Sequence, residues 1–158
     1  MITLPAVMVI LIIILLFVLY FLVKNHMTEK NRLESLHMEN ADLLKVCQTL
    51  IERIEKPLPT AEKRLEVIRG RIPKEQFLSL QDLVNTADKN LPNIKVGLGT
   101  ATTIHLESGW ESAELVSKST EVLLGLLRSG VKFSQAIDSK IRELNEAEKN
   151  SQKLLTEI

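Results

Sequence analysis

Hydrophobic and polar positions divide this chain into two unequal parts. From Met1 to Val23 no side chain is charged, and Leu4 to Val23 reads LPAVMVILIIILLFVLYFLV. About 20 residues of this kind rise roughly 30 Å as a helix, the hydrocarbon thickness of a bilayer. Backbone polar groups cannot stay unpaired in lipid, so a helix is the conformation open to a lone segment there. Pro5 falls in the first turn, where its missing amide costs little, and Tyr20 places a polar handle near the boundary. A basic leader and a small-residue cleavage site are both lacking, which predicts an uncleaved transmembrane anchor over 1–23. The span carries no Asp, Glu, Lys, Arg, His, Asn or Gln and no glycine. Neither an ion path nor a helix-pairing face is written in it, and tethering is the expected role.

Polar residues begin at Lys24, and the apolar period changes with them. Leu33, Leu36, Asn40, Leu43, Cys47, Leu50 and Ile54 recur at steps alternating between three and four residues. With Leu33, Asn40, Cys47 and Ile54 at position a and Leu36, Leu43 and Leu50 at d, the spacing predicts a helical stalk over 24–56 with a short parallel coiled coil. A single asparagine at a fixes register there by pairing amides across the dimer. A shared anchor would raise the effective concentration of two such helices. Leu44 and Ile51 at e, with Val46 at g, widen the apolar face and support an alternative, a helix packed within its own bundle.

A helical domain is expected over 57–158. Pro57-Leu58-Pro59 should stop the stalk, Thr60 can cap a short helix from Ala61 to about Arg69, and Gly70 can end it. Pro73 opens a further helix to about Lys89, with Phe77, Leu80, Leu83, Val84 and Ala87 as its apolar stripe. Asn90, Pro92 and Asn93 are read as its end. Ile94, Val96 and Leu98, then Thr102, Ile104 and Leu106, alternate about Gly99-Thr100, which allows a short β-hairpin or an ordered loop over 94–106. Ser108 with Glu111 has capping-box spacing and predicts a helix from about Gly109, with Leu115, Val122, Leu123, Leu126 and Leu127 inward and a kink near Gly130. From Phe133 through Ile137, Ile141 and Leu144 to Leu154, Leu155 and Ile158 the period stays helical. The fold class is therefore mainly α: an N-terminal transmembrane helix, a helical stalk and a small helical bundle.

Composition narrows the function. Lysine plus arginine (20) equals aspartate plus glutamate (20), so no basic footprint draws the chain to nucleic acid. Beyond the apolar run the aromatic residues are Phe77, Trp110 and Phe133, too few for a base-stacking platform. Cys47 is a lone cysteine, which excludes an internal disulfide and any multi-cysteine metal site. His26, His37 and His105 are scattered and read as solvated surface groups, so no metal site is expected. Val96-Gly97-Leu98-Gly99-Thr100 lacks the lysine of a phosphate loop, and Ser108-Gly109 lacks the flanking glycine of a nucleophile elbow, so neither a cofactor nor catalysis is predicted.

Lys24, Lys30 and Arg32 follow the span, with Lys45 beyond, and basic residues tend to stay in the cytoplasm, which predicts a cytoplasmic C-terminal domain. In layout alone, an anchor followed by helices resembles both the inner-membrane spanins of phage lysis and small tethered bacterial adaptors. The expected function is a non-enzymatic membrane-tethered adaptor or regulator that self-associates and recruits a protein partner. The alternative is an envelope-acting, spanin-like protein with its helical domain outside the cytoplasm.

Overall fold

The computed structural model describes residues 3–158, and every regular element among them is helical. Met1 and Ile2, with which the predicted anchor begins, lie outside the described residues. Helix α1 (Leu4–Glu55) takes in the whole apolar run and the heptad segment in 52 residues, about 78 Å of continuous rod. Its best window has a mean hydropathy of 3.4, and none of that window is buried. By length and composition this helix can cross a membrane. Then follow α2 (Leu58–Ile68), α3 (Lys74–Ser108), a single 3₁₀ turn (Gly109–Ser112), α4 (Ala113–Gly130) and α5 (Lys132–Thr156).

These elements act as three arms. Lys56 and Pro57 keep right-handed helical dihedrals between α1 and α2, and Val131 does the same between α4 and α5, so both joints bend the chain without reversing it. The reversals fall elsewhere, at Gly70 (φ 76°) and Gly109 (φ 58°), where a side chain would be strained and glycine is not. His105 stacks on His37 and Lys95 pairs with Glu55, so α3 runs antiparallel to α1. Asn40 bonds to Ala113 while Gly130 abuts Ile54, so α4 runs parallel to α1. Arg64 pairs with Asp138 and Arg71 with Glu148, which lays α5 beside α2 and the start of α3. The result is an elongated up-down-up bundle whose first arm carries the apolar run beyond it.

One rule fills the core. On α3 the buried positions are Leu80, Val84, Ala87, Leu91, Ile94, Leu98, Ala101 and His105, alternating steps of four and three without a gap. Asn40, Leu44, Cys47, Ile51 and Ile54 keep the same steps on α1, and Ala61, Leu65 and Ile68 resume them on α2. That period keeps one side of each arm facing the others along its whole length. Glu55 pairs with Lys95 near Pro92, and Ile54 meets Gly130, so the breaks at Pro57, Pro92 and Gly130 share one level of the bundle. A Cβ on Gly130 would lie 2.7 Å from Ile54 Cδ1, so a larger residue there would have to push the end of the Ile54 side chain aside where the first and third arms bend together.

Four expectations are corrected. Residues 94–106 form no hairpin; α3 passes through Pro92 and continues to Ser108. Proline inside a helix costs about 3 kcal/mol, but buried Leu91, Ile94 and Leu98 flank it on one stripe, and full burial of each contributes about 1.5–3 kcal/mol. Leu115, Val122 and Leu126 point outward, and the inward positions of α4 are Val116, Thr120, Leu123, Leu124 and Leu127. Ser108 makes no capping bond; its turn is 3₁₀ and α4 starts at Ala113. Thr60 instead gives its hydroxyl proton to the Pro57 carbonyl.

Helix and hairpin make opposite demands on neighbouring side chains of α3. Leu98→Ala is expected to lower the unfolding free energy by about 2–5 kcal/mol, and Val96→Ala, at an exposed position, by no more than about 0.5 kcal/mol. Chemical denaturation followed by circular dichroism checks both; equal costs would restore a strand with Val96 and Leu98 on one face.

Candidate functional site

Buried polar groups collect at the end of the bundle next to the apolar run. Asn40 is fully buried and its Nδ2 donates to the Ala113 carbonyl at 2.8 Å, tying α1 to the first residue of α4. Its Oδ1 meets no partner among the described residues. One helical turn earlier, His37 stacks on His105 with ring centroids 4.0 Å apart and planes 20° from parallel. The Nδ1 atoms of both imidazoles are also buried without a partner. Burial first, and the His37 ring second, hold the His105 pKa below its ordinary value. A charge on His105 at that separation is disfavoured by burial and by the neighbouring ring, so the stack suits a neutral His105.

Exposed charges frame this end. Arg32 Nη2 lies 2.6 Å from Glu29 and 2.5 Å from Glu114, bridging α1 to the first turn of α4. The carboxylate bonds raise the Arg32 pKa, and Arg32 in turn lowers that of Glu29. Such exposed pairs hold geometry more than they stabilise. The Lys30 ammonium sits 5.9 Å from the centre of the Trp110 ring, in cation–π range.

The residues predicted to form an oligomerising seam are placed within the chain's own fold. Asn40, Cys47 and Ile54 are buried, and Leu33, Leu36, Leu43 and Leu50 are half-buried. Leu44 and Ile51 join the buried set, so the inward face centres on the a and e positions rather than on a and d. Asn40 gives its amide to a backbone carbonyl of α4 in place of a second asparagine. The Cys47 thiol is enclosed and burial raises its pKa, which leaves little reactive thiolate.

Elsewhere the surface is shallow. A groove of about 420 Å³ lies between α2 and α3, and its Glu66 carboxylate is held by Arg69, which also stacks over Phe77. Among the described residues no three His, Cys, Asp or Glu side chains converge as metal ligands would. An apolar stripe of Leu115, Val122 and Leu126 lies open on the outer side of α4. The histidine stack was missed by reading the histidines as surface groups. The available signal was the position of His105, four residues after Ala101 on the continuous buried stripe of α3. No protein family, curated protein or solved structure matches this chain.

A lowered pKa in the fold makes stability depend on pH. Just below the ordinary histidine value of about 6.5 the unfolded chain binds more protons at His105 than the folded one. Stability is therefore fully present above that value and falls as pH descends through the window beneath it. The thermal midpoint is expected to drop between roughly pH 7.5 and 5.5, and His105→Phe, which keeps a ring in the stack, to flatten that drop. An unchanged slope in the variant would contradict the assignment.

Proposed function

We propose that the chain is a non-enzymatic, single-pass membrane-tethered adaptor that self-associates and recruits a protein partner through its helical bundle. The observation that carries this reading is α1, whose apolar first part stands clear of the bundle while its second part is locked into it. Moving one leucine- or isoleucine-sized side chain from water to hydrocarbon gains about 1.5–3 kcal/mol, and Leu4 to Val23 holds many of them, all solvent-facing in the folded chain. A bilayer is the solvent that meets that demand. On this reading residues 1–23 are the anchor, 24–56 the first helix of the bundle and 57–158 its remainder. Lys24, Lys30 and Arg32 beside the span favour a cytoplasmic bundle.

The inward face of α1 packs against α3 and α4, which supports placing self-association on another surface. Leu115, Val122 and Leu126 offer one, because steps of seven and four residues put them on a single outward line of α4. Parallel anchoring would bring two such lines together at matching height.

Both parts of the proposal can be tested in membranes. A reporter fused after Ile158 is expected to be active only as a cytoplasmic fusion; activity as an exported fusion would reject the cytoplasmic bundle and favour the envelope-acting, spanin-like topology. In a Cys47→Ser background, Val122→Cys should crosslink under mild oxidation. Native Cys47 should crosslink far more slowly. Crosslinking through Cys47 alone would return the interface to the predicted seam.

A further inference from the structure

We infer that the level shared by Pro57, Pro92 and Val131 is a hinge, about which the far half of the bundle swings against the half that continues toward the apolar run. Each arm loses helical hydrogen bonds there. Pro57 and Pro59 have no amide hydrogen, so the Arg53 and Glu55 carbonyls lack the donors that would carry α1 straight into α2. Pro92 removes the donor for the Asp88 carbonyl inside α3 and crowds that carbonyl with its ring. Val131 bonds back to Leu127 at the end of α4, and α5 starts a new ladder at Lys132. These interruptions coincide. Pro57 lies two residues past Glu55 and Pro92 three residues before Lys95. Because α1 and α3 are antiparallel, both prolines stand on the far side of the Glu55–Lys95 pair, about 3 and 4.5 Å along the axis. Gly130, just before Val131, abuts Ile54. All three breaks therefore fall within about one helical turn.

The near half holds α1, α4 and the part of α3 after Pro92, and the far half holds α2, α5 and the part of α3 before it. Polar bonds stay inside each half. Arg32 with Glu114, Lys95 with Glu55, and the Asn40 amide on the Ala113 carbonyl all belong to the near half. Arg64 with Asp138 and Arg71 with Glu148 belong to the far half. Among the described residues no ion pair or side-chain hydrogen bond joins one half to the other. Apolar packing does cross, with Ile54, Leu91, Ile94, Leu127 and Phe133 in one continuous core. Burial of apolar surface has no preferred direction. Such a core resists separation of the halves more than a change of angle between them, whereas an unbroken helical ladder resists the angle itself. The far half carries the α2–α3 groove, so the hinge turns that groove relative to the rod of α1. This swing does not depend on the anchoring proposed above.

Distances between paired spin labels, read by pulsed electron resonance on the frozen full chain in detergent micelles, test the hinge. Labels are attached to introduced cysteines in a Cys47→Ser background, with unlabelled chain in excess so that each distance lies within one molecule. Asp42→Cys with Lys63→Cys spans the level. Asp42→Cys with Thr103→Cys stays in the near half and Lys63→Cys with Glu146→Cys in the far half, and all four positions are exposed. Freezing traps the angles that a hinge visits on the microsecond to millisecond scale. The spanning pair is expected to give a distance distribution roughly twice as broad as either control. A bundle bends only where all three arms bend. Pro92→Ala, which mends one ladder with a residue that favours helix, is therefore expected to narrow the spanning distribution to the width of the controls. A spanning distribution as narrow as the controls with Pro92 intact would overturn the hinge. So would a broad one that Pro92→Ala leaves unchanged.

Discussion

A hydrogen-bonded helix cannot change its solvent partway along without keeping its axis, and that constraint organises this molecule. Helix α1 is apolar on every side over Leu4 to Val23 and apolar on one face from Leu33 to Ile54, with no break between. The first part has the length and composition to cross a membrane, and the second packs against two partner helices. Because one rod carries both parts, the proposed anchor and the near half of the bundle cannot move independently. Tilt of the span becomes tilt of that half.

The bundle is built by repetition rather than by special contacts. Each arm presents the three-four spacing, and the spacing survives the bend after Glu55, while at Val131 the buried line steps from Leu127 to Phe133 before resuming at Ile137. Against that background the polar residues stand out. Asn40 fixes where α4 begins by holding the Ala113 carbonyl, while the His37–His105 stack fixes α3 against α1 at the same end. Partly satisfied polar groups in a core cost stability, so this end is the least secure part of the fold and the most sensitive to protonation. It is also the end that faces the proposed membrane.

Helical class, the apolar run and the pause at Pro57 were legible because each is a local signal that no distant residue opposes. The failures share one cause: local punctuation was read without the stripe running through it. Pro92 looks like a stop until Leu91, Ile94 and Leu98 are seen to continue the buried line from Leu80. Ile94, Val96 and Leu98 alternate as a strand would, yet Ile94 and Leu98 are also four apart, and that spacing prevailed. The heptad from Leu33 to Ile54 was legible as a packing face, but sequence spacing does not say whether the facing helices come from the same chain. Leu44 and Ile51 carried that information by widening the face, as three-sided packing requires. The histidine stack needed the antiparallel pairing of α1 and α3, which no local pattern supplies.

The continuity of α1 across the junction between apolar run and bundle is the central claim. Residues Lys24 to Arg32 are its sensitive stretch, because Lys30 and Arg32 at its far end reach Trp110 and Glu114 while helical hydrogen bonds carry the rod before them. Amide hydrogen exchange on the full chain in lipid vesicles tests this directly. The account predicts protection running without interruption from the apolar segment through Lys24 and Arg32 into the bundle. Fast exchange confined to the amides of Lys24 to Asn31 would show a flexible joint, and the two ends of α1 would then be separate elements.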